Sequence, residues 1–433
     1  MARVRAFTNG RVCTRGKEKL RDFYVDLDTG YIVPEPYEDP MSFVDMQNHV
    51  LAPAYQELQI NGCIGVHSTT FVDSRTYLSH LENISRHLVS QGVGAFYITL
   101  PTIHVDLYRK ILPHLNPRTF NGGADLLGAH CEGPWLNPLK KGAHDADLMQ
   151  NPAESSVESI YGDDEALSAI KMVTLAPELG NSLEVIRNLT KRGIVVSLGH
   201  TAADYDTGMR ALKAGAKMLT HVYNAMNSFS HRSPGVAGLV SSLEAPYFSL
   251  IAGDLHPAAL AMTFRANREK CILISDAVEL AGLADGDYLG HIQIPHRPNN
   301  QKKWSDLVTM EGNENMISSC KSVEESVRNL RKCSGCSLAE AVRCASENIA
   351  ALMNDEERGL IEEGRKADFV VLSDGGKVQQ TWLAGEMVYE APELSDTYAF
   401  EDYQLQLMLL EQQNKKKLIL AREEHEERGD QGR

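Results

Sequence analysis

Four apolar, strand-like runs of this sequence each end in a side chain that can bind a metal ion or transfer a proton. Their last residues are Glu132, His200, His221 and Asp276. Four such ends in order, separated by helix-like segments, favour a parallel (β/α)8 barrel, in which the carboxyl ends of the strands converge on one pocket. One Glu and two His residues are a common ligand set for catalytic zinc, and a separate Asp could move protons. The pattern predicts a metal-dependent hydrolase.

The size and composition of the chain permit a large core and disfavour some partners. Its 433 residues are 43% hydrophobic and 23% charged, near globular averages. The formal net charge of −15 argues against electrostatic binding of nucleic acid, but an anionic substrate needs only a local basic group. No apolar run reaches the roughly 18–20 residues of a membrane span, and the start lacks the apolar core of a secretory signal. We therefore expect a cytoplasmic protein with no nucleic-acid or membrane partner.

Strand-like and helix-like segments alternate through the centre of the chain. The strand candidates are residues 50–60, 95–100, 125–131, 172–178, 194–200, 217–223, 247–254 and 271–277. Amphipathic stretches such as YLSHLENISRHLVSQG lie between them, with Gly closing the helices. Eight strands alternating with helices fit one TIM-like barrel with insertions. A doubly wound open sheet is the structural alternative, but it would bring four strand ends into one pocket less readily.

The two ends of the chain have a different texture from the centre. Short runs of alternating polarity with Asn-Gly or Thr-Gly turns occur near the start, and similar runs return near the end. We expect residues 1–50 and 366–395 to pair into one small β-sandwich beside a barrel formed by residues 51–365. Residues 396–433 are strongly charged and helix-prone, which predicts a charged helical tail.

Several longer motifs resemble a known family. HCEGPWLNPLKKGAH, LAPELG, SLGHTAADY, THVYNAMNSFSHRSPGVAG and ISDA are very similar to motifs of the N-acetylglucosamine-6-phosphate deacetylases of the amidohydrolase superfamily. The resemblance runs from about residue 53 to residue 372. It implies hydrolysis of N-acetyl-D-glucosamine 6-phosphate to D-glucosamine 6-phosphate and acetate, in the catabolism of amino sugars, by a homodimeric enzyme.

The resemblance also implies a metal centre. Glu132, His200 and His221 match the ligands of one divalent ion, for which zinc is favoured while iron, cobalt and manganese stay open. Many amidohydrolases carry His-x-His on the first strand and hold a second metal, whereas this chain has Gln59 and Asn61 there. Because amides are poorer ligands than imidazoles, we expect a single metal, with Gln59 and Asn61 hydrogen-bonding its water.

The proton shuttle and the substrate contacts are carried over in the same way. Asp276 matches the general base that later acts as general acid, which amide hydrolysis requires. Matches to positions that contact the sugar, the acetyl group or the phosphate are Ala143, His144, Asn224, Ala225, Arg232, His256, Ile317, Ser318 and Ser319. A guanidinium can hold a phosphate through two hydrogen bonds, and in the family that arginine can come from the neighbouring subunit.

Four segments depart from the family pattern. Residues 53–57 read PAYQE in place of PGFID, 252–254 read AGD in place of ADG, 317–320 read ISSC in place of a Gly-containing motif, and 348–350 read NIA in place of NPA. Glycines allow close approach of the backbone to a ligand, so the changes concern the fit of the sugar. Two alternatives therefore stay open: a related amidohydrolase with an altered sugar, and a weakly active or inactive homologue that binds sugar phosphate. Acetate release from several N-acetylhexosamine phosphates separates them.

Overall fold

The computed structural model describes residues 3–288, 301–304, 307–310 and 316–392. Its strands, in chain order, are β1 Val4–Thr14, β2 Lys17–Asp26, β3 Tyr31–Val33, β4 Ser42–Asp45, β5 Val50–Pro53, β6 Tyr55–Ile60, β7 Gly62–Cys63, β8 Val66–His67, β9 Val93–Leu100, β10 Asp125–Glu132, β11 Ile170–Leu175, β12 Val195–Leu198, β13 Met218–Leu219, β14 Tyr247–Leu250, β15 Cys271–Leu273, β16 Gly286–Tyr288, β17 Gln301–Trp304, β18 Leu307–Met310, β19 Met316–Ser319, β20 Phe369–Leu372, β21 Val378–Leu383 and β22 Glu386–Glu390. The tail predicted over residues 396–433 lies outside the described residues.

The α-helices alternate with the central strands. They are α1 Ser74–Val89, α2 Val105–Ile111, α3 Val157–Tyr161, α4 Asp164–Ala169, α5 Ser182–Lys191, α6 Tyr205–Ala214, α7 Pro257–Ala266, α8 Val323–Ser334, α9 Leu338–Arg343 and α10 Glu347–Met353. The local sequence explains their ends: α1 begins where the Asp73 side chain accepts a hydrogen bond from the Thr76 amide, and its buried face carries Tyr77, Leu81 and Leu88. Within the described ranges, every helix is too short or too polar to cross a bilayer.

The central sheet has the eight parallel strands that the sequence predicts. Its order is β6-β9-β10-β11-β12-β13-β14-β15, so each strand pairs with its neighbour in the chain. A doubly wound sheet would reverse this order at a switch point, and the alternative is therefore wrong. Backbone bonds connect the ends of the two outer strands: the Asp276 amide donates to the Gln59 carbonyl (2.9 Å) and the Asn61 amide to the Ala277 carbonyl (2.8 Å). The curled sheet thus fits a TIM-like barrel.

Apolar side chains cover both faces of this sheet, as in a parallel sheet that is buried on both sides. All eight residues of β9 are buried. One apolar cluster takes side chains from most barrel strands, including Leu58, Tyr97, Met172 and Ile272, and Ile349 of α10 packs with them. A layer of this kind fills the interior of a barrel below its active rim.

The two chain ends meet in one second sheet, with the order β22-β21-β20-β5-β1-β2-β3 and β4 beside β1. The link between the ends is the antiparallel pair β20 and β5, in which Leu372 faces Val50. Stacked and edge-on rings of Phe7, Phe23 and Phe369 pack at its core. Pairing of the chain ends is therefore present, while their arrangement as a two-layered sandwich stays a prediction.

Two local features differ from the sequence expectation. The strand candidate at 50–60 divides at Ala54, because β5 joins the terminal sheet and β6 the barrel. A further antiparallel sheet, β16-β17-β18-β19, lies between β15 and α8. The sequence between residues 281 and 320 is polar and rich in turn residues, so apolar periodicity did not predict these short strands.

Candidate active site

Three strand ends bring the expected metal ligands together. Glu132 is the last residue of β10, His200 lies two residues beyond β12, and His221 lies two residues beyond β13. All three side chains are buried, since neighbouring strands and loops cover them. Because consecutive parallel strands end at the same edge of the sheet, side chains far apart in sequence reach one point.

The distances among these three side chains suit one metal ion. The Nε2 atom of His221 lies 3.0 Å from Oε1 of Glu132 and 3.2 Å from Nε2 of His200, and the His200 nitrogen lies 3.3 Å from the same oxygen. Ligands placed tetrahedrally at 2.0–2.1 Å from zinc are separated by about 3.3 Å. The ring of His200 is oriented by its Nδ1, which donates to the Lys140 carbonyl (2.8 Å) and leaves Nε2 as the electron-pair donor.

Electrostatics also favour a cation between these side chains. Burial raises the pKa of Glu132, but the adjacent imidazoles of His144, His200 and His221 overcome that effect and hold the pKa well below its usual range. Burial lowers the pKa of His200 to about 4, which keeps its ring neutral as a ligand must be. Burial would lower the pKa of His221 too, but the Glu132 hydrogen bond and charge raise it to about 9. The carboxylate therefore stabilises a positive charge at this point, which a divalent ion supplies.

A third ring, that of His144, competes for the ligand position. Ligand atoms of Glu132, His144 and His200 lie within 4.8 Å of one another, so this set could also hold an ion. The Nδ1 atom of His144 accepts a hydrogen bond from the Thr102 amide (3.1 Å). In the neutral ring the proton is then on Nε2, which lies 3.5 Å from Oε2 of Glu132. His144 consequently acts as a donor to the carboxylate, and this hydrogen-bond geometry favours His221 over His144 as a third ligand.

Asp276 lies beside the metal centre and is held by two amides. Nε2 of Gln59 donates to Oε1 of Glu132 (3.1 Å) and to Oδ1 of Asp276 (3.0 Å), and Nδ2 of Asn61 donates to the same Asp276 oxygen (2.9 Å). Gln59 thus contacts both carboxylates and Asn61 contacts Asp276, while hydrogen bonds from these amides to a metal-bound water stay a prediction. Burial, followed by the negative charge of Glu132, raises the pKa of Asp276 well above its usual range, as a proton acceptor requires.

Backbone strain accompanies the chemistry at three of these strand ends. His200, His221 and Asp276 have φ values of 48°, 31° and 48°, in the left-handed region that side chains with a Cβ rarely adopt. Conformations of this kind cost roughly 1–3 kcal/mol each and persist where surrounding structure imposes them. The strained positions thus coincide with three of the residues that converge on the site.

A cavity of about 370 Å³ opens above this centre. Its walls contain eight of the predicted site residues: Asn61, Glu132, Ala143, His144, His200, His221, Asn224 and Ala225, with Asp276 as a ninth. It also contains Gly142, Tyr223, Ile251, Asp254 and Val278, which the sequence analysis did not single out. Asp254 could have been found by the same reasoning as the others, since it closes the strand candidate at 247–254.

The remaining predicted contacts lie elsewhere. Arg232 is exposed and is not part of the cavity wall. His256 is also exposed, and its ring accepts a hydrogen bond from the Ala258 amide at the start of α7. Ile317, Ser318 and Ser319 belong to β19, but their side chains lie outside the described part of the protein. The structure therefore groups the predicted metal and proton-transfer residues closely and leaves the predicted phosphate contacts apart.

Comparison with known proteins gives consistent matches. The sequence profile of the amidohydrolase family matches residues 120–388. The chain is 35% identical over 408 residues to the N-acetylglucosamine-6-phosphate deacetylase of Homo sapiens, covering 90% of this chain and 97% of that protein. It is 30% identical over 353 residues to the N-acetylgalactosamine-6-phosphate deacetylase of Escherichia coli O157:H7, covering 80% of this chain and 90% of that protein.

A solved structure shares the whole architecture. The crystal structure of N-acetylglucosamine-6-phosphate deacetylase from Pasteurella multocida matches with a TM-score of 0.78 and 25% identity, over 90% of this chain and all of the other. The similarity thus extends over both the central barrel and the terminal sheet.

Proposed function

The chain belongs to the amidohydrolase family, and from this membership we propose that it hydrolyses N-acetyl-D-glucosamine 6-phosphate to D-glucosamine 6-phosphate and acetate. The observation that carries the proposal is the convergence of Glu132, His200, His221 and Asp276 on one buried point at the floor of a cavity. Relatives named N-acetylglucosamine-6-phosphate deacetylase align with 90% of this chain, which supports the same substrate class.

We propose that Glu132, His200 and His221 hold one divalent ion, with zinc favoured by one carboxylate and two imidazoles. When bound, such an ion lowers the pKa of a coordinated water and polarises the amide carbonyl. The donation from Gln59 to Glu132 orients the carboxylate, and the Lys140 carbonyl orients the His200 ring. Gln59 and Asn61 present amide hydrogens to Asp276, and these cannot bind a cation, which supports one metal over a bridged pair.

Asp276 is the proposed proton shuttle. It takes a proton from the attacking water and delivers it to the sugar nitrogen as the carbon–nitrogen bond breaks, so that acetate and a free amine leave. Its raised pKa makes it a stronger base than an exposed aspartate. The two amides bind one oxygen, Oδ1, and so fix the plane of the carboxylate.

The sugar phosphate is proposed to fill the cavity. Ala143, His144, Asn224 and Ala225 line it and are within reach of the sugar and its acetyl group. Arg232 and His256 are proposed phosphate contacts, and Ile317, Ser318 and Ser319 are proposed to line the acetyl side. Because Arg232 is exposed outside the cavity of its own chain, we propose that it serves a neighbouring subunit in a homodimer. We also propose that the enzyme works in the cytoplasm, in amino-sugar catabolism.

The test is acetate release from a panel of substrates by protein of known metal content. The panel contains the 6-phosphates of N-acetylglucosamine and N-acetylgalactosamine, together with unphosphorylated N-acetylglucosamine. We expect the fastest release from N-acetylglucosamine 6-phosphate, about one metal per chain, and loss of activity on chelation that added zinc restores. Metal-loaded protein that releases no acetate from any of the three would contradict the proposal and favour a binding function.

A further inference from the structure

Asp254 is an acidic side chain of the cavity for which the hydrolysis described above has no role. It lies four residues beyond β14, in a turn in which its amide donates to the Ile251 carbonyl (3.1 Å). The residue lines the same cavity as Glu132 and Asp276. The side chain therefore lies next to the space that a ligand would occupy.

The hydrogen bonds of this carboxylate are incomplete. Oδ2 accepts one bond, from Nδ2 of Asn224 (3.2 Å), while Oδ1 is buried and has no hydrogen-bond partner among the residues that the structure describes. An ionised carboxylate can accept about four hydrogen bonds. Because buried acceptors are nearly always satisfied, the partner of Oδ1 belongs to the ligand or to solvent that the ligand displaces.

The chemistry of that partner can be narrowed. Among the described residues, the cluster able to hold a metal comprises Glu132, His144 and His200 and does not include Asp254. A phosphate would be repelled by the carboxylate. The partner that fits is therefore a hydrogen-bond donor, and the ring hydroxyls of a hexosamine phosphate are neutral donors of that kind.

We propose that Asp254 accepts a hydrogen bond from a ring hydroxyl of the substrate and thereby determines which N-acetylhexosamine phosphate is deacetylated. This inference rests on the proposed function. Asn224 holds Asp254 in place through Oδ2 and is a positioning residue for it. A site that binds a hydroxyl in this way rejects an analogue without the hydroxyl, because the buried acceptor is then left unpaired.

The discriminating variant is Asp254→Asn. Its side-chain oxygen can still accept the hydrogen bond from Asn224, while its amide group puts a donor where Oδ1 was an acceptor. Asp206→Asn, an exposed position on α6 with the same loss of charge, is the matched control. Both are compared with the unchanged protein for kcat/KM on N-acetylglucosamine 6-phosphate and on its 3-deoxy, 4-deoxy and 4-epimeric analogues, with metal content and thermal midpoint measured alongside.

We expect Asp254→Asn to lower kcat/KM on the parent sugar by about 10- to 100-fold, with metal content and thermal midpoint unchanged. The unchanged protein should already disfavour one of the deoxy sugars by a similar factor, and Asp254→Asn should cost less than about twofold on that sugar. Asp206→Asn should behave as the unchanged protein. An equal loss on every sugar would show a structural role and overturn the proposal, as would full activity of Asp254→Asn on the parent.

Equilibrium binding of the same sugars separates this inference from the proposed hydrolysis. It is measured on metal-loaded protein carrying Asp276→Asn, so that no sugar is consumed, with and without Asp254→Asn. If the unchanged protein releases no acetate, the hydrolysis proposal fails, and a weakening of binding confined to sugars that carry one particular hydroxyl still supports the role of Asp254. Identical affinities with and without Asp254→Asn overturn it.

Discussion

Strand β10 has a carboxylate at each end, half-buried Asp125 at its start and buried Glu132 at its end, and different groups compensate for the two charges. At its start, Asp125 accepts from Nη2 of Arg358 (2.5 Å) and from Nζ of Lys366 (3.2 Å). At its end, Glu132 has histidine rings and the Gln59 amide around it. Among the described residues, the cavity above Glu132 has no Lys or Arg in its wall.

The difference separates a structural charge from a functional one. Taking a charge out of water is costly unless an opposite charge or several hydrogen bonds compensate for it. At the start of β10 the cations are Arg358 and Lys366, whose ion pairs with Asp125 connect the barrel to the segment before β20. At the end of β10 the compensation comes from hydrogen bonds and from the His221 imidazole, whose pKa is raised to about 9, so the positive charge lies on a ring that a bound divalent ion would replace as the charge partner.

Removing the charge of Asp276 should abolish most turnover and leave the metal site intact. Asp276→Asn keeps an oxygen for the Gln59 and Asn61 amides but cannot accept a proton, and general acid–base catalysis contributes roughly 10²–10⁴-fold. We expect kcat to fall by about 10³-fold or more while metal content stays at the level of the unchanged protein. Acetate release and elemental analysis measure the two quantities. Near-normal turnover would exclude Asp276 as the proton shuttle.

Removing the cation at the other end should affect stability and spare activity. Arg358→Met leaves Asp125, Asp355 and Asp368 near one another with less compensation, and breaking a buried ion pair costs roughly 3–5 kcal/mol. Urea unfolding should show a loss of that size, with metal content and kcat unchanged at a temperature where the variant is folded. Arg86→Met, which removes an exposed pair with Glu82, should cost less than about 1 kcal/mol. Equal effects from both variants would contradict a structural role for the buried pair.

The histidines around Glu132 should divide into ligand and donor. His144→Ala removes a hydrogen bond to Glu132, and loss of such an outer partner typically lowers metal affinity or activity by about 10–100-fold. The variant should therefore still bind metal, with a weaker affinity in a chelator competition. His221→Ala should retain no metal after the same dialysis, because a direct ligand is gone. Retention of metal by His221→Ala together with its loss from His144→Ala would reverse the assignment.

The difference between the two ends of β10 also separates what the sequence could predict from what it could not. Glu132, His200, His221 and Asp276 were predictable because each interrupts an apolar run at a strand end, and consecutive parallel strands must finish at one rim. Asp254 also ends a strand candidate, but its segment was interpreted only as a departure from a family motif. Its proposed role depends on a hydrogen bond with Asn224, which is 30 residues away in the chain. The ion pair of Asp125 with Arg358 joins residues far apart in the chain, so no local sequence pattern predicts it.

The carboxylate of Glu57 is also buried, inside the barrel strand β6, and no cation lies among its hydrogen-bond partners in the described part of the chain. Its Oε1 accepts hydrogen bonds from the backbone amides of Gln59 (3.1 Å) and Ser275 (3.3 Å), so it joins β6 to the segment after β15. Burial raises its pKa from an ordinary value of 4.5 to about 7, and the hydrogen bonds with Ser275 and Gln59 oppose this only in part. The folded protein therefore binds this proton more tightly than the unfolded chain does, and Glu57 contributes stability at low pH that is lost as pH rises from 4.5 to about 7.

Glu57→Gln should remove that part of the pH dependence, because the amide oxygen can accept the same two backbone bonds without ionising. Relative to the unchanged protein, we expect the variant to gain stability on going from pH 5 to pH 8, by up to about 3 kcal/mol for a pKa difference of this size. Urea midpoints of the two proteins, measured with excess metal at both pH values, give this difference and cancel the pH dependence of metal binding. Parallel curves for the two proteins would mean that Glu57 titrates normally, and that this part of the barrel interior accepts a carboxylate charge with no cation beside it.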